Sequence, residues 1–240
     1  MRIAILGDIH SNLEALQSVL ADAESQGCSQ YLCLGDVVGY GADPLACIQT
    51  IRSLGCPVIK GNHDEQASAT GSLADFSDLA ASSMYWTREQ LSEDDKEWLH
   101  SLRLQRVIRD FTVVHATLDT PQRWGYIVTP GDAAASFTYQ HTPVCFYGHT
   151  HEPCLFQTGL VVKRGSLSTI RLQHGLQYLI NVGSVGQPRD LDWRAAYVIY
   201  EPETLSVTLR RVPYDIKVAQ EKIIKAGLPV ELAERLALGK

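Results

Sequence analysis

Residues 2–12 read RIAILGDIHSN. After Arg2 the run is apolar as far as Leu6, then stops at Gly7 and turns polar with Asp8 and His10. So short a run without alternation predicts a strand buried on both faces. From Asn12 to Gly27, Leu13, Leu16, Val19, Leu20 and Ala23 recur in steps that place them on one helical face. Ser11 or Asn12 caps that helix and Gly27 closes it. The pattern then repeats. Tyr31–Leu34 predicts a second strand ending at Gly35-Asp36, and Asp43-Pro44 opens a helix that runs to about Leu54. Val58-Ile59 predicts a short third strand before Gly61. The opening is thus β-α-β-α-β, and in such sheets ligands sit beyond the carboxyl ends of the strands.

Residues 64–102 read as surface helices, a candidate cap or oligomer contact, with an Ala-rich stretch from Leu73 to Tyr85. Within them Ser92-Glu93-Asp94-Asp95 resembles a capping box. Strands are predicted at Leu104–Ile108, Phe111–His115, Val144–Tyr147, Leu155-Phe156, Val161-Val162, Ala195–Tyr200 and Leu205–Leu209. Thr169–Gln173 and Leu176–Ile180 flank His174-Gly175 at the spacing of a tight hairpin. Further helices are predicted at Pro130–Tyr139, Tyr214–Ala226 and Val230–Leu238. No repeat or linker interrupts the chain, so a single domain over 1–240 is expected.

Composition narrows the partners. The 240 residues carry a net charge of -6 without a block of basic residues, which argues against a surface that tracks a nucleic-acid backbone. No stretch approaches the ~18 apolar residues of a membrane span. The six cysteines form no C-x-x-C pair and suit small buried side chains in a cytoplasmic protein.

The chemistry collects at strand ends. Phe146–Pro153 reads FYGHTHEP and puts His149 and His151 two apart, on one side if the strand continues. Elsewhere Asp8 and His10, Asp36, the triplet Asn62-His63-Asp64, and His115 all follow predicted strands. Five of the eight histidines fall in these places; His100, His141 and His174 do not and read as surface or turn residues. Singly, each position is weak, since an Asp after a strand often caps a helix. Together they supply Asp, His and Asn with no Cys, a donor set for Mn, Fe, Zn or Mg. Asp8, His10, Asp36, Asn62, His115, His149 and His151 are more donors than the roughly four to six one ion takes, so two ions sharing a carboxylate are predicted.

GDIHSN (7–12), GDVVGYG (35–41), GNHD (61–64), VVHA (113–116) and GHTH (148–151) resemble, in order, the motifs of the calcineurin-like metallophosphoesterase superfamily. The resemblance is to its small prokaryotic phosphodiesterase and phosphatase branch, and NVGSVGQPRD (181–190) is similar to a late motif there. It implies an α/β (α+β) four-layer sandwich of two mostly β-sheets flanked by helices. It also implies two divalent ions (Mn, Fe, Zn, Ni, Co or Mg, with Mn or Fe favoured). Asp8, His10 and His151 would hold the first, Asn62, His115 and His149 the second, and Asp36 would bridge them. A hydroxide between the ions would attack a phosphomonoester or phosphodiester, with His63 protonating the leaving group or steadying the phosphoryl oxygens.

The chain departs from the phosphoprotein phosphatases of the superfamily, which carry Asp-Arg where Gly39 and Tyr40 stand. Asp64 or a backbone carbonyl is left to orient His63. Phosphate falls to Arg189, to the N–H groups of Gly183–Gly186, or to weaker candidates Asn12 (otherwise a helix cap) and Tyr40. Trp124 and Tyr126 either stack on a nucleobase or pack, with packing favoured. The expected substrate is a small phosphoester, including nucleotides. A scaffold or a nucleotide-binding regulator on the same fold is the alternative, and the complete donor set favours the enzyme.

Overall fold

The computed structural model describes residues 1–74 and 76–240. Strand β1 (Ile3–Leu6) is buried throughout, and its alternation assigns it two neighbours. Ile3 and Ile5 enter one apolar cluster, while Ala4 and Leu6 enter another on the opposite face. A parallel neighbour, β2 (Gln30–Cys33), and two antiparallel strands, β10 (Ala195–Glu201) and β11 (Ser206–Val212), extend this sheet in the order β2-β1-β10-β11-β8, where β8 is Thr169–Arg171.

A second sheet runs β3-β4-β5-β9-β6-β7. Its centre is β4 (Phe111–Val114), β5 (Val144–Tyr147) and β9 (Tyr178–Asn181), mutually parallel. Antiparallel β3 (Gln105–Ile108), β6 (Cys154–Gln157) and β7 (Lys163–Ser166) complete it. Val144 and Phe146 face the first sheet, whereas Cys145 and Tyr147 face away. Phe146 meets Phe111 edge-on at 5.6 Å and Tyr200 at 5.2 Å, joining the two sheets. Truncating it to alanine is expected to destabilise by ~3–5 kcal/mol.

Helices cover both outer faces. The first sheet is backed by α1 (Leu13–Ser25), α2 (Pro44–Ser53), α3 (Asn62–Ser68), α4 (Asp78–Gln90), α5 (Glu93–Ser101), α7 (Ile216–Lys225) and α8 (Val230–Leu238). The second is backed by α6 (Pro130–Phe137), through Ala133 and Phe137. The result is the four-layer sandwich expected, with two mixed sheets between helices.

Four local expectations fail for identifiable reasons. Thr169–Gln173 and Leu176–Ile180 are not a hairpin: β8 pairs with β11 at the edge of one sheet, while β9 enters the middle of the other. The chain does turn at Gly175 (φ +83°), but Tyr178–Ile180 are apolar enough to be buried on both faces, and β8 is not. Val58 and Ile59 make single bridges, to Cys33 and Arg103, too little for a strand. The strand expected at Val161-Val162 forms instead at Lys163–Ser166, an edge whose polar side chains need no second covering face. In 64–102, Ser77 accepts from the Ala80 N–H at 3.4 Å and starts α4 later than the Ala-rich stretch suggested. The Ser92 capping box forms, with Ser92 and Asp95 exchanging bonds of 3.2 Å.

Candidate metal centre

The carboxyl ends of β1 and β2 in one sheet meet those of β4 and β5 in the other, and all seven predicted donors lie at or just beyond them or at the start of α3. The backbone there is unusual. Asp8, His10, Asp36, His149 and His151 all have φ between 50° and 67°, a left-handed region that side chains with a Cβ rarely adopt. His149 and His151 therefore do not point by strand alternation, and the expectation that they leave β5 as a parallel pair is corrected. Gly148 precedes them because a Cβ there would collide with Asp8 Oδ2. The His149 N–H instead donates to both Asp8 oxygens at 3.1 Å.

Ligand atoms of Asp8, His10, Asp36 and His151 gather within 4.8 Å of one another, as do those of Asp36, His115 and His149, so Asp36 belongs to both groups. Each imidazole has one nitrogen against a backbone carbonyl. His10 Nδ1 faces Val38 O at 3.2 Å, His115 Nδ1 faces Leu34 O at 2.7 Å, and His151 Nδ1 faces Gln187 O at 2.6 Å. In His149 it is Nε2, 2.9 Å from Trp124 O. A carbonyl only accepts, so these nitrogens carry a proton; in His10, His149 and His151 the other nitrogen turns a lone pair inward, as metal-binding histidines are arranged, while His115 turns its Nε2 toward Asp36.

That assignment makes the centre fit a cation. His10 Nε2 and His151 Nε2 are 3.1 Å apart, two lone pairs that repel unless a positive charge lies near both. Asp8 Oδ1 is 3.2 Å from His151 Nε2, and Asp36 Oδ2 is 3.3 Å from His115 Nε2 and 3.6 Å from His10 Nε2. Among the described residues Asn62 Oδ1 is a buried acceptor with no hydrogen-bond partner. An orphaned acceptor beside two buried carboxylates is what a metal would satisfy.

Burial dominates the protonation equilibria. It pushes Asp8 up to about 6 and Asp64 up to about 7, with Asp36 adding to both. It pulls His63 down to about 4 and His149 down to about 3, and holds His10 and His151 well below the imidazole range. Two groups move against burial. Asp36 is held well below the carboxylate range by His115 and His63, and His115 rises to about 10 because Asp36 and Asp8 face it. The cluster attracts positive charge, and four of its imidazoles are neutral at pH 7.

His63 lines a cavity of about 290 Å³ over this cluster, with Tyr40, Asn62, Phe76, Tyr126, His149, Arg189 and Arg235 among its walls. Its ring is held by packing, 4.6 Å from Tyr40, 4.8 Å from His10 and 5.3 Å from Phe76. Neither suggested orienting group contacts it. Asp64 accepts from the N–H groups of Asp36 (2.7 Å), Val37 (2.9 Å) and Gly61 (3.0 Å), and His63 Nδ1 has no partner. Asp64 instead fixes the loop that carries Asp36. Gly39, φ +92°, leaves room for the ring, since a Cβ there would collide with His63 Nδ1.

The remaining candidates divide. Arg189 and Tyr40 reach the cavity. Asn12 does not, because its amide accepts from Ala15 N at 3.1 Å and donates to Gly186 O at 2.9 Å, a cap tied to a neighbouring loop. The anion cradle at Gly183–Gly186 is also corrected. Gly183, Val185 and Gly186 donate to Asn181 Oδ1, Gly7 O and Asp8 O, so three of its four N–H groups are already taken and no converging set is left for an anion. Trp124 packs as expected, its Nε1 donating to Glu65 at 2.9 Å, while Tyr126 stacks on His149 at 4.3 Å and stays half exposed. Arg235, from α8, escaped the sequence reading because an arginine between Glu234 and Leu236 looks like the wet side of a helix.

Comparison with known proteins gives the family. The calcineurin-like phosphoesterase superfamily domain matches residues 1–204. An uncharacterized protein of Methanocaldococcus jannaschii is 40% identical over 244 residues, spanning 99% of this chain and 98% of that one. A metallophosphoesterase from Sphaerobacter thermophilus superposes with a TM-score of 0.89 at 38% identity, covering 100% of this chain and 99% of its own. A hypothetical protein from Pyrococcus horikoshii shares the fold (TM-score 0.82, 20% identity, 100% and 98% covered). The chain belongs to the calcineurin-like phosphoesterase superfamily.

Proposed function

We propose that the chain hydrolyses small phosphomonoesters or phosphodiesters, nucleotides among them, with two divalent metal ions. The observation that carries this reading is the pair of donor groups sharing Asp36, with the orphaned Asn62 Oδ1 beside them. Asp8, His10 and His151 would hold one ion and Asn62, His115 and His149 the other, with Asp36 between. The mixed oxygen and nitrogen donors suit Mn or Fe. When bound, such ions polarise a phosphoryl oxygen and lower the pKa of water toward ~7.

The chain's own residues do the positioning. Carbonyls of Leu34, Val38, Gln187 and Trp124 each accept from one ring nitrogen and so turn the other inward. Because burial holds His63 near 4, its ring is neutral at pH 7 and donates one N–H to a phosphoryl or leaving oxygen. Arg189 grips phosphate from the wall, in place of the arginine absent at Tyr40. The cavity of about 290 Å³ is of small-ligand size. All six cysteines are unpaired, which suits a cytoplasmic setting, and among the described residues no helix is long and apolar enough to cross a membrane.

The test is turnover of p-nitrophenyl phosphate and bis-p-nitrophenyl phosphate by protein loaded in turn with Mn, Fe, Ni, Co, Zn and Mg. Hydrolysis of at least one ester that disappears with chelator is expected. No turnover with any of these ions sinks the reading and favours a scaffold or regulator.

A further inference from the structure

One wall of the cavity carries more positive charge than gripping a single phosphate requires. The Tyr40 ring has two guanidiniums against it, with Cζ of Arg189 at 5.8 Å and of Arg235 at 5.7 Å from the ring centroid. Among the described residues neither guanidinium has an Asp or Glu partner, and both line the cavity over the donor cluster. Arg189 Nη2 donates to Gln187 Oε1 at 3.0 Å and Tyr40 Oη at 3.4 Å, while its buried Nε has no partner. Arg235 Nε donates to Lys240 O at 2.8 Å. Burial and then the neighbouring Arg189 lower Arg235 from its ordinary value. Two like charges with no Asp or Glu beside them, partly desolvated and open to one cavity, are held at a cost that an anion between them would offset.

Their order follows from what each touches. Arg189 is the inner one. It bonds Gln187, whose carbonyl orients His151, and Tyr40, whose ring packs on His10 and His63. Arg235 comes from α8, beyond the residues 1–204 shared with the superfamily. Leu232, Ala233 and Leu236 are buried beneath it, and Leu191 N donates to Gly239 O at 3.0 Å, so α8 is docked and Arg235 has a fixed place on the wall. The N-terminal residues of α4, Ser77 and Ala80, line the same cavity and add a helix dipole of the same sign.

We propose that Arg189 and Arg235 form a subsite for two linked phosphates, Arg189 toward the scissile group and Arg235 on the next, so that the substrate is a phosphoester with a di- or polyphosphate chain. This assignment rests on the phosphoesterase reading, and its test does not need turnover. Metal-loaded protein, with the metal in excess over ligand, is titrated calorimetrically with methylphosphonate and with methylenediphosphonate, whose P–C–P link cannot be hydrolysed. The ratio of the two affinities is compared among the intact chain, Arg235→Gln and Arg235→Met, the second keeping the stem against Tyr40 should glutamine disturb α8. A lost charged hydrogen-bond partner predicts that the preference for the diphosphonate falls about tenfold or more. Methylphosphonate binding should change less than twofold. A fall of at least threefold in a variant whose circular dichroism is unchanged supports the subsite. A smaller fall in both variants overturns it. Absence of ester hydrolysis by the same preparation would overturn the catalytic reading separately, leaving the calorimetric ratio to decide the subsite.

Discussion

Replacing His63 with alanine separates a catalytic helper from a metal ligand. The structure sets the size of the effect. Burial holds the imidazole near 4, so only about one ring in a thousand is protonated at pH 7, and its contribution is one N–H donated to a charged oxygen. Such a bond is worth ~1.5–3 kcal/mol, which at ~1.36 kcal/mol per decade is a loss of roughly 10–150-fold in kcat. Full proton donation would behave differently, contributing about 100–10,000-fold and mattering most for a poor leaving group. The assay therefore pairs p-nitrophenyl phosphate with an alkyl phosphoester, and metal content is measured on the same samples. We expect both ions retained and similar losses on the two esters. A loss below threefold on both, or the departure of a metal, would refute the role given to His63. A loss confined to the alkyl ester would restore general-acid catalysis.

Asp36→Asn should reduce bound metal to less than one ion per chain by elemental analysis and lower kcat by about 100-fold or more, since both donor groups share that carboxylate; one site left full would refute the bridge. Gly39→Ala forces a Cβ at φ +92° against His63 Nδ1, so it should approach the His63→Ala rate while both metals stay bound; an unchanged rate would mean that the ring position is unimportant. For chelator-treated protein, calorimetry should find Tm falling from pH 7 to pH 5. His10, His63, His149 and His151 lie below the ordinary 6.5 when folded, so the unfolded chain takes their protons first, and their contribution is lost as pH drops beneath 6.5. Asp8, Asp64 and His115, at about 6, about 7 and about 10, oppose this because the folded state holds their protons first, but they are three against four, and His115 adds only over the upper part of the interval, until the unfolded imidazole is itself protonated. A Tm that rises over that interval would contradict the account.

Much of the centre was legible because each strand that supplies it is an apolar run cut off by a glycine or a polar residue, and a run buried on both faces leaves only its end for chemistry. Val144–Tyr147 was read to the residue for that reason. The direction of His149 and His151 was not legible, since it depends on left-handed backbone held by Asp8 accepting from the His149 N–H, a contact between positions 141 residues apart. Asp64 looked like a partner for its neighbour His63. Only the folded loop shows its carboxylate turned to the amides of Asp36, Val37 and Gly61. Gly183–Gly186 resembled an anion cradle because glycine spacing does not say where the N–H groups point, and here three of the four bond inward. Arg235 had no signal at all: its reach to Tyr40 exists because α8 docks beside the cavity.

The central claim is that two ions work together around Asp36. Chelator-treated protein should be titrated with Mn²⁺ while hydrolysis of bis-p-nitrophenyl phosphate and bound metal are followed in the same samples. The account predicts binding that saturates at two ions per chain, with most of the turnover appearing on the second equivalent. Full activity at one bound ion would contradict it.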